Sequence, residues 1–185
     1  VSAEFARAGA PGGGQDAYNL WANTVLAFGT DDLRERFVRR LLLDDVAMCL
    51  LYSEPGAGSD LAGIQTSATR DGDEWIVNGQ KVWTSGAHYS DIGEVICRTD
   101  PDQPKHRGLT GFVVDMRAPG VDIRPLRQMT GGASFNEVFF TDVRIPDDHR
   151  VDNRRLLEGL KSLAVSRGVE IREYTALRAI EVKDG

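Results

Sequence analysis

Asp71-Gly72 stands between two runs rich in β-forming residues, "IQTSATR" at 64–70 and "EWIVNGQKVWT" at 74–84. An Asp-Gly pair in that setting is the strongest short-range hairpin signal, because the backbone twist of the turn it favours matches the right-handed twist of the strands it joins. The hairpin commits the middle of the chain to antiparallel sheet. Further strands are expected at 46–53, 92–99, 109–116, 121–127 and 136–143, separated by "TDPDQPKHRG" and the bend "RAPG". Six or seven short strands at this spacing predict an antiparallel β-barrel or sandwich over about 46–146. Internal repeats are not evident.

The flanks have a different period. Ala17, Trp21, Val25 and Phe28 recur at one-turn spacing up to Gly29, and Leu33, Phe37 and Leu41 form a second stripe. Thr30 is placed as its N-cap, with Asp31 and Asp32 in the first turn. "APGGG" at 10–14 reads as a loop before these helices. After Asp152, a second candidate N-cap, Leu156, Leu160, Leu163 and Ala164 make a helical stripe stopped by Gly168. "VEIR" and "ALRAIEV" then read as strands, and the chain closes on the turn signal "KDG". The fold class expected is α+β: a β-domain at 46–146 flanked by short helices at 1–45 and an αββ tail at 147–185. The missing initial Met and the terminal turn signal point to a fragment or a processed chain.

Charge narrows the partners. With 22 Lys and Arg against 28 Asp and Glu, the net charge of −6 argues against a general nucleic-acid binder. No apolar run approaches the roughly 20 residues of a membrane span, and the N-terminus lacks the pattern of a secretory signal. Cys49 and Cys97 sit alone in apolar segments and read as buried thiols of a reducing compartment, so the cytoplasm is expected. His88, His106 and His149 are far apart, with no CxxC or HExxH, and no metal site is assigned.

"LYSEPGAGSD" at 51–60 leaves an apolar strand through Pro55, Gly56, Gly58 and Ser59. Pro55 ends the ladder, the glycines permit conformations closed to other residues, and so bare a turn leaves N–H groups free for an anion or a carbonyl-rich ring. An ordinary loop is the plainer alternative. Ser59, Asp60 and His88 invite a hydrolase triad, but no G-x-S-x-G elbow surrounds Ser59, and that reading is rejected. Trp83 by itself reads as core, Glu54 as a turn residue, and "FNEVFF" as an aromatic strand that mainly packs.

Together, "SEPGAGSDLAG" at 53–63, "DEWIVNGQKVWTSGAHYSD" at 73–91, "HRGLTGFVVDM" at 106–116 and "RQMTGGASFNEVFFTDVRIP" at 127–146 resemble the acyl-CoA dehydrogenases, over about Ala8 to Pro146. The resemblance implies a middle β-domain that supports one face of FAD. It implies that residues 50–59 line the flavin, including Leu50, Leu51, Tyr52, Ser53, Glu54, Gly58 and Ser59. Ser53 takes a position that hydrogen-bonds the flavin, and Ser59 one associated with the acyl-CoA substrate. Trp83, Thr84 and Ser85 match the segment beside the isoalloxazine, with Ser85 near its reactive side. Donors against an apolar wall would stabilise the charge that gathers on the reduced ring.

The same resemblance implies α,β-dehydrogenation of an acyl-CoA thioester, with an electron-transfer flavoprotein or another acceptor as redox partner and homo-oligomeric full-length relatives. The family's base usually lies in a C-terminal helical domain that this sequence does not match, so no catalytic residue is assigned. Residues 149–185 are similar instead to a segment of amino-acid-oxidase-type FAD oxidoreductases, although the dinucleotide fingerprint is missing. A non-catalytic flavin- or CoA-binding β-domain, a chimera, and part of an FAD-dependent amine or amino-acid oxidase are the alternatives.

Overall fold

The computed structural model describes residues 18–151 together with Arg7, Val165, Ser166 and Gly168. The chain divides into two units, Val1–Asn153 and Arg154–Gly185. In the second, Gly168 has φ +81° and donates its N–H to the Val165 carbonyl at 3.0 Å, as a stop residue would. The rest of the expected αββ tail, the 10–14 loop and Ala17 lie outside the described residues.

Two strands of 12 residues each, β3 (Glu74–Ser85) and β7 (Phe135–Pro146), pair antiparallel and form the spine of the first unit. The predicted hairpin joins β3 to β2 (Ser67–Asp71), with Gly72 at φ +62° supplying the conformation the turn needs. On the other side of β7 lies β6 (Val121–Leu126), and beyond β2 come β4 (Ile92–Arg98), β5 (Leu109–Asp115) and the short β8 (Arg150–Val151). The first strand, β1 (Met48–Leu51), pairs with β4. Each strand expected within 46–146 is present within a few residues of its predicted bounds.

The expectation of an antiparallel barrel or sandwich is corrected in part. The eight strands form one open sheet, seven of them in the order β6-β7-β3-β2-β4-β5-β8 with β1 beside β4 off this line, and both β1 and β2 run parallel to β4. β1 and β2 share one edge of β4, β1 at residues 92–95 and β2 at Arg98. The chain therefore steps off this line after β1 and returns to it in the same direction, which a pattern of hairpins cannot do. The open sheet still curls on itself. Trp75 on β3 and Phe112 on β5 have ring centroids 5.3 Å apart. Three strand spacings in a flat sheet would hold them about 14 Å apart. Between the curled halves lie Leu51, Val77, Val95, Cys97, Phe112, Val138, Phe140, Val143 and Ile145.

The opposite face of β4 and its neighbours carries the helices. A π-helical turn at Tyr18–Ala22 leads into an α-helix at Asn23–Phe28 (together α1). Residues 31–42 form α2, which begins at Asp31–Leu33, passes through a π-helical stretch at Arg34–Val38 and ends at Arg39–Leu42. Thr30 caps α2 as expected, its hydroxyl accepting from the Leu33 N–H at 3.3 Å. Val25, Leu33, Phe37 and Leu41 pack on Met48, Ile92, Val113 and Val151, so the two stripes do find a sheet to lean on. Cys49 and Cys97 are free and buried, and burial pushes both thiols up to about 12, which leaves them unreactive.

A polar tie fastens α2 to the end of β7. Arg36 Nη1 lies 2.7 Å from His149 Nε2, Thr30 donates to the Asp148 carbonyl at 2.6 Å, and Gly29 bridges to Val151. Burial, then the Arg36 guanidinium, holds the His149 imidazole below its ordinary value, against smaller opposing effects of Asp148, the Val113 backbone and Asp32. The folded state thus binds fewer protons here than the unfolded one. Its stabilisation is complete above the unfolded value near about 6.5 and is lost as pH falls through the lower folded value. Urea unfolding of wild type should weaken over that acid window, and His149→Gln should flatten the dependence.

Candidate functional site

Residues 52–66 are the excursion between β1 and β2, and their ends are pinned by one carboxylate. Glu54 Oε2 accepts the Gln65 N–H at 2.7 Å, and its Oε1 accepts the Thr66 N–H at 2.9 Å. The same Oε1 takes a hydrogen bond from Lys81 Nζ at 2.9 Å, and Lys81 also donates to the Tyr52 carbonyl at 3.1 Å. Lys81 is 0 % exposed and Glu54 9 %. Three donors, Lys81 among them, keep the Glu54 carboxyl below the usual range despite burial, and burial lowers Lys81 against the pull of Glu54. At its tip the excursion turns tightly, with reciprocal backbone bonds between Glu54 and Ala57 at 2.8 and 3.1 Å.

Beside this neck the β3–β7 ladder is interrupted. Register runs from Lys81↔Val138 to Thr84↔Asn136, so β3 carries one extra residue, a β-bulge. Trp83 sits in it at φ +60°, a left-handed conformation that bulky side chains avoid. Its indole is 63 % exposed and meets Phe135 edge-on, with centroids 6.2 Å apart. The Val82 N–H donates to the Ser53 carbonyl at 2.9 Å and so binds the bulge to the neck of the excursion. Thr84 is buried, and its Oγ1 has no hydrogen-bond partner among the described residues.

The segments predicted to line a ligand are thus joined. Leu50, Tyr52 and Ser53 are half-buried, and Gly58, Ser59, Trp83 and Ser85 are exposed. Leu51 and Glu54 are corrected in one respect. The Leu51 side chain lies in the core, and the Glu54 carboxylate and both its backbone groups are already engaged, so neither side chain presents itself outward. The glycines of the turn are corrected too. Gly56 and Gly58 are not in the left-handed region, and a Cβ on either would meet nothing within 4 Å. No packing among the described residues requires them to be bare. The N–H groups of Gly56, Gly58 and Ser59 make no hydrogen bond among the described residues. Asp60, one of the rejected triad, pairs with Lys105 rather than with His88.

Sequence reasoning missed the polar groups underneath. Lys81 sits among hydrophobic strand residues, and only its inward phase with Val77 signals burial. Glu94, in the apolar run "IGEVICR", is buried on the sheet face covered by the helices and accepts the Tyr52 O–H at 2.7 Å. Burial raises its carboxyl, and burial with the Glu94 carboxyl raises the Tyr52 phenol. Asn136 was read only as part of an aromatic strand. It is fully buried, donates to the Thr84 carbonyl at 2.9 Å and faces His88 Nδ1 at 3.1 Å.

A family model described as "Acyl-CoA dehydrogenase, middle domain" matches residues 49–143, which run from β1 into β7. The chain belongs to the acyl-CoA dehydrogenase family. It is 52 % identical over 127 residues to acyl-CoA dehydrogenase FadE34 of Mycobacterium tuberculosis, a match covering 69 % of this chain and 18 % of that protein. Among solved structures, the ChsE4-ChsE5 complex from Mycobacterium tuberculosis is 36 % identical with a TM-score of 0.71, covering 86 % of this chain and 42 % of that one. A glutaryl-CoA dehydrogenase from Mycobacterium smegmatis in complex with FADH2 is 28 % identical with a TM-score of 0.64, covering 71 % of this chain and 33 % of that one. The chain spans less than half the length of each. Among the described residues no helix is long and apolar enough to cross a membrane.

FAD is the cofactor of this family, and the residues present fit it. An exposed indole offers a flat apolar wall, Ser53 and Ser85 offer hydroxyls, and the 56–59 turn offers unpaired N–H groups with open space above its glycines. Lys81→Met should cost about 3–5 kcal/mol in urea unfolding, because it strands the Glu54 carboxylate in the interior. The double variant Glu54→Gln/Lys81→Met should lose less than the sum of the singles, whereas Trp83→Ala should change stability little.

Proposed function

We propose that this chain supplies the wall of an FAD site on which an acyl-CoA thioester is dehydrogenated between its α and β carbons. The observation that carries the reading is the Val82-to-Ser53 hydrogen bond, which sets the bare 53–59 turn beside the strained Trp83 bulge. FAD supplies the hydride acceptor. The part of this chain is to bind and orient: Ser53 and the N–H groups of Gly56, Gly58 and Ser59 would donate to the polar edge of the ring, Ser85 stand near its reactive side, Trp83 pack beside it, and Ser59 face the thioester. Thr84 lies behind them with its unpaired hydroxyl. Residues 46–146 would be the flavin- and acyl-CoA-binding domain, 1–45 part of a helical domain, and 147–185 a helix–strand–strand tail whose first residues, up to Val151, still join the sheet. An electron-transfer flavoprotein or another acceptor is the redox partner.

No catalytic base is assigned. The carboxylates around the turn are unsuited to removing an α-proton: Glu54 is held by three donors, Glu94 is buried and bonded to Tyr52, and Asp60 is paired with Lys105. The purified chain is therefore expected to bind FAD with slow turnover of acyl-CoA. Titration should quench flavin fluorescence to saturation, and Ser53→Ala and Trp83→Ala should each weaken binding about three- to tenfold, the loss of one contact. A folded chain that leaves FAD fluorescence unchanged would remove the proposal. Saturable CoA-ester binding without FAD would favour a non-catalytic binding domain.

A further inference from the structure

Asn136 stands directly across from Thr84 at the point where the β3–β7 ladder resumes after the bulge. It is 0 % exposed, yet its side chain is polar. A carbonyl oxygen can only accept, so the amide group 2.9 Å from the Thr84 carbonyl is the NH2 of Asn136. The amide oxygen then faces His88 Nδ1 at 3.1 Å, and that nitrogen must carry a proton. In neutral His88 this leaves Nε2 as the acceptor. The exposed His88 ring is braced by Tyr89, edge-on with centroids 4.9 Å apart, and Tyr89 in turn packs over Gly86, where a Cβ would collide with its ring. The Gly86 N–H closes the loop on the Ser134 carbonyl at 2.9 Å.

We propose that Asn136 is a positioning residue for the flavin-facing bulge: its amide fixes the Thr84–Ser85 peptide, and His88 fixes the amide. This rests on the FAD reading above for its consequence but not for its geometry. Trp83 has an unfavourable backbone conformation, and the ladder cannot restrain the extra residue. Without the Asn136 donor the Thr84 carbonyl loses its side-chain bond, and a shift of the Thr84–Ser85 peptide, opposed only by the neighbouring ladder pair and the Gly86–Ser134 bond, would carry the Ser85 hydroxyl and N–H with it. Aromatic packing of "FNEVFF" does not account for a buried amide at this position, and the lock does.

The test uses the full chain and reads geometry and ligand separately. Nitrogen-15 NMR of neutral wild type should show His88 protonated on Nδ1. Asn136→Asp keeps the size of the side chain but cannot donate to Thr84. It should displace the Thr84 and Ser85 amide signals, weaken FAD binding about tenfold and shift the absorption bands of bound flavin. His88→Ala, at an exposed position, should alter the Asn136 side-chain amide signals and weaken FAD about threefold, and it decides the matter if Asn136→Asp does not fold. Val143→Ala, a core truncation, should lower stability and leave the flavin bands in place. An Nε2–H tautomer, or unchanged Ser85 signals in a folded Asn136→Asp chain, would overturn the lock. Absence of FAD binding by wild type would remove the proposed function, while the NMR comparison still judges the lock.

Discussion

A single buried ion pair sets where this protein presents its bare turn. Glu54 and Lys81 are each charged and out of water, an arrangement that is costly unless every bonding position is filled. Here the carboxylate takes two backbone N–H groups from the far end of the 52–66 excursion and the ammonium from β3, while the ammonium also takes the Tyr52 carbonyl. These bonds draw together three stretches of chain that the sheet ladder does not connect at this point. The excursion is a loop in sequence, yet its base is as rigidly specified as a strand. A site that holds a flat ring needs such a base, because a loop positioned only by its own turn would drift by more than the tolerance of a hydrogen bond.

The bulge at Trp83 uses the opposite device. There the ladder is broken, the tryptophan takes a conformation it would not choose, and side-chain bonds from Asn136 and backbone bonds to Ser53 and Ser134 hold what remains. Strain of this kind costs on the order of 1–3 kcal/mol and persists only where its surroundings enforce it. The result is a large aromatic surface turned outward next to unpaired backbone donors. That arrangement is what the proposed FAD site draws on.

Strand positions, the Asp71-Gly72 hairpin, the Thr30 cap and the helix stripes were legible because each depends on a local period or a turn residue. The open, partly parallel sheet was not, because the parallel pairing of β1 and β2 with β4 is decided by the excursion between them and leaves no local signal. At the site, the residues named from the family's motifs came together in space. Their chemistry was less legible: nothing local to Glu54, a turn residue by its setting, signals that Lys81, 27 residues away, occupies its carboxylate. Gly56 and Gly58 looked conformationally necessary and are not. Asn136 and His88, 48 residues apart, carried no sign of each other in sequence.

An unclosed sheet must also end somewhere, and its outer strand β6 reads Val121, Asp122, Ile123, Arg124, Pro125, Leu126. Proline removes one donor from that margin. Arg124 pairs with Asp122 at 2.6 Å and covers the Phe139 ring at 4.4 Å, so charge lies along the rim and shields the neighbouring aromatic. A passing extended chain finds no continuous row of bonds to extend and would have to desolvate an ion pair to dock. The protein can thus keep a curled sheet open without offering its β6 margin as a template for self-association.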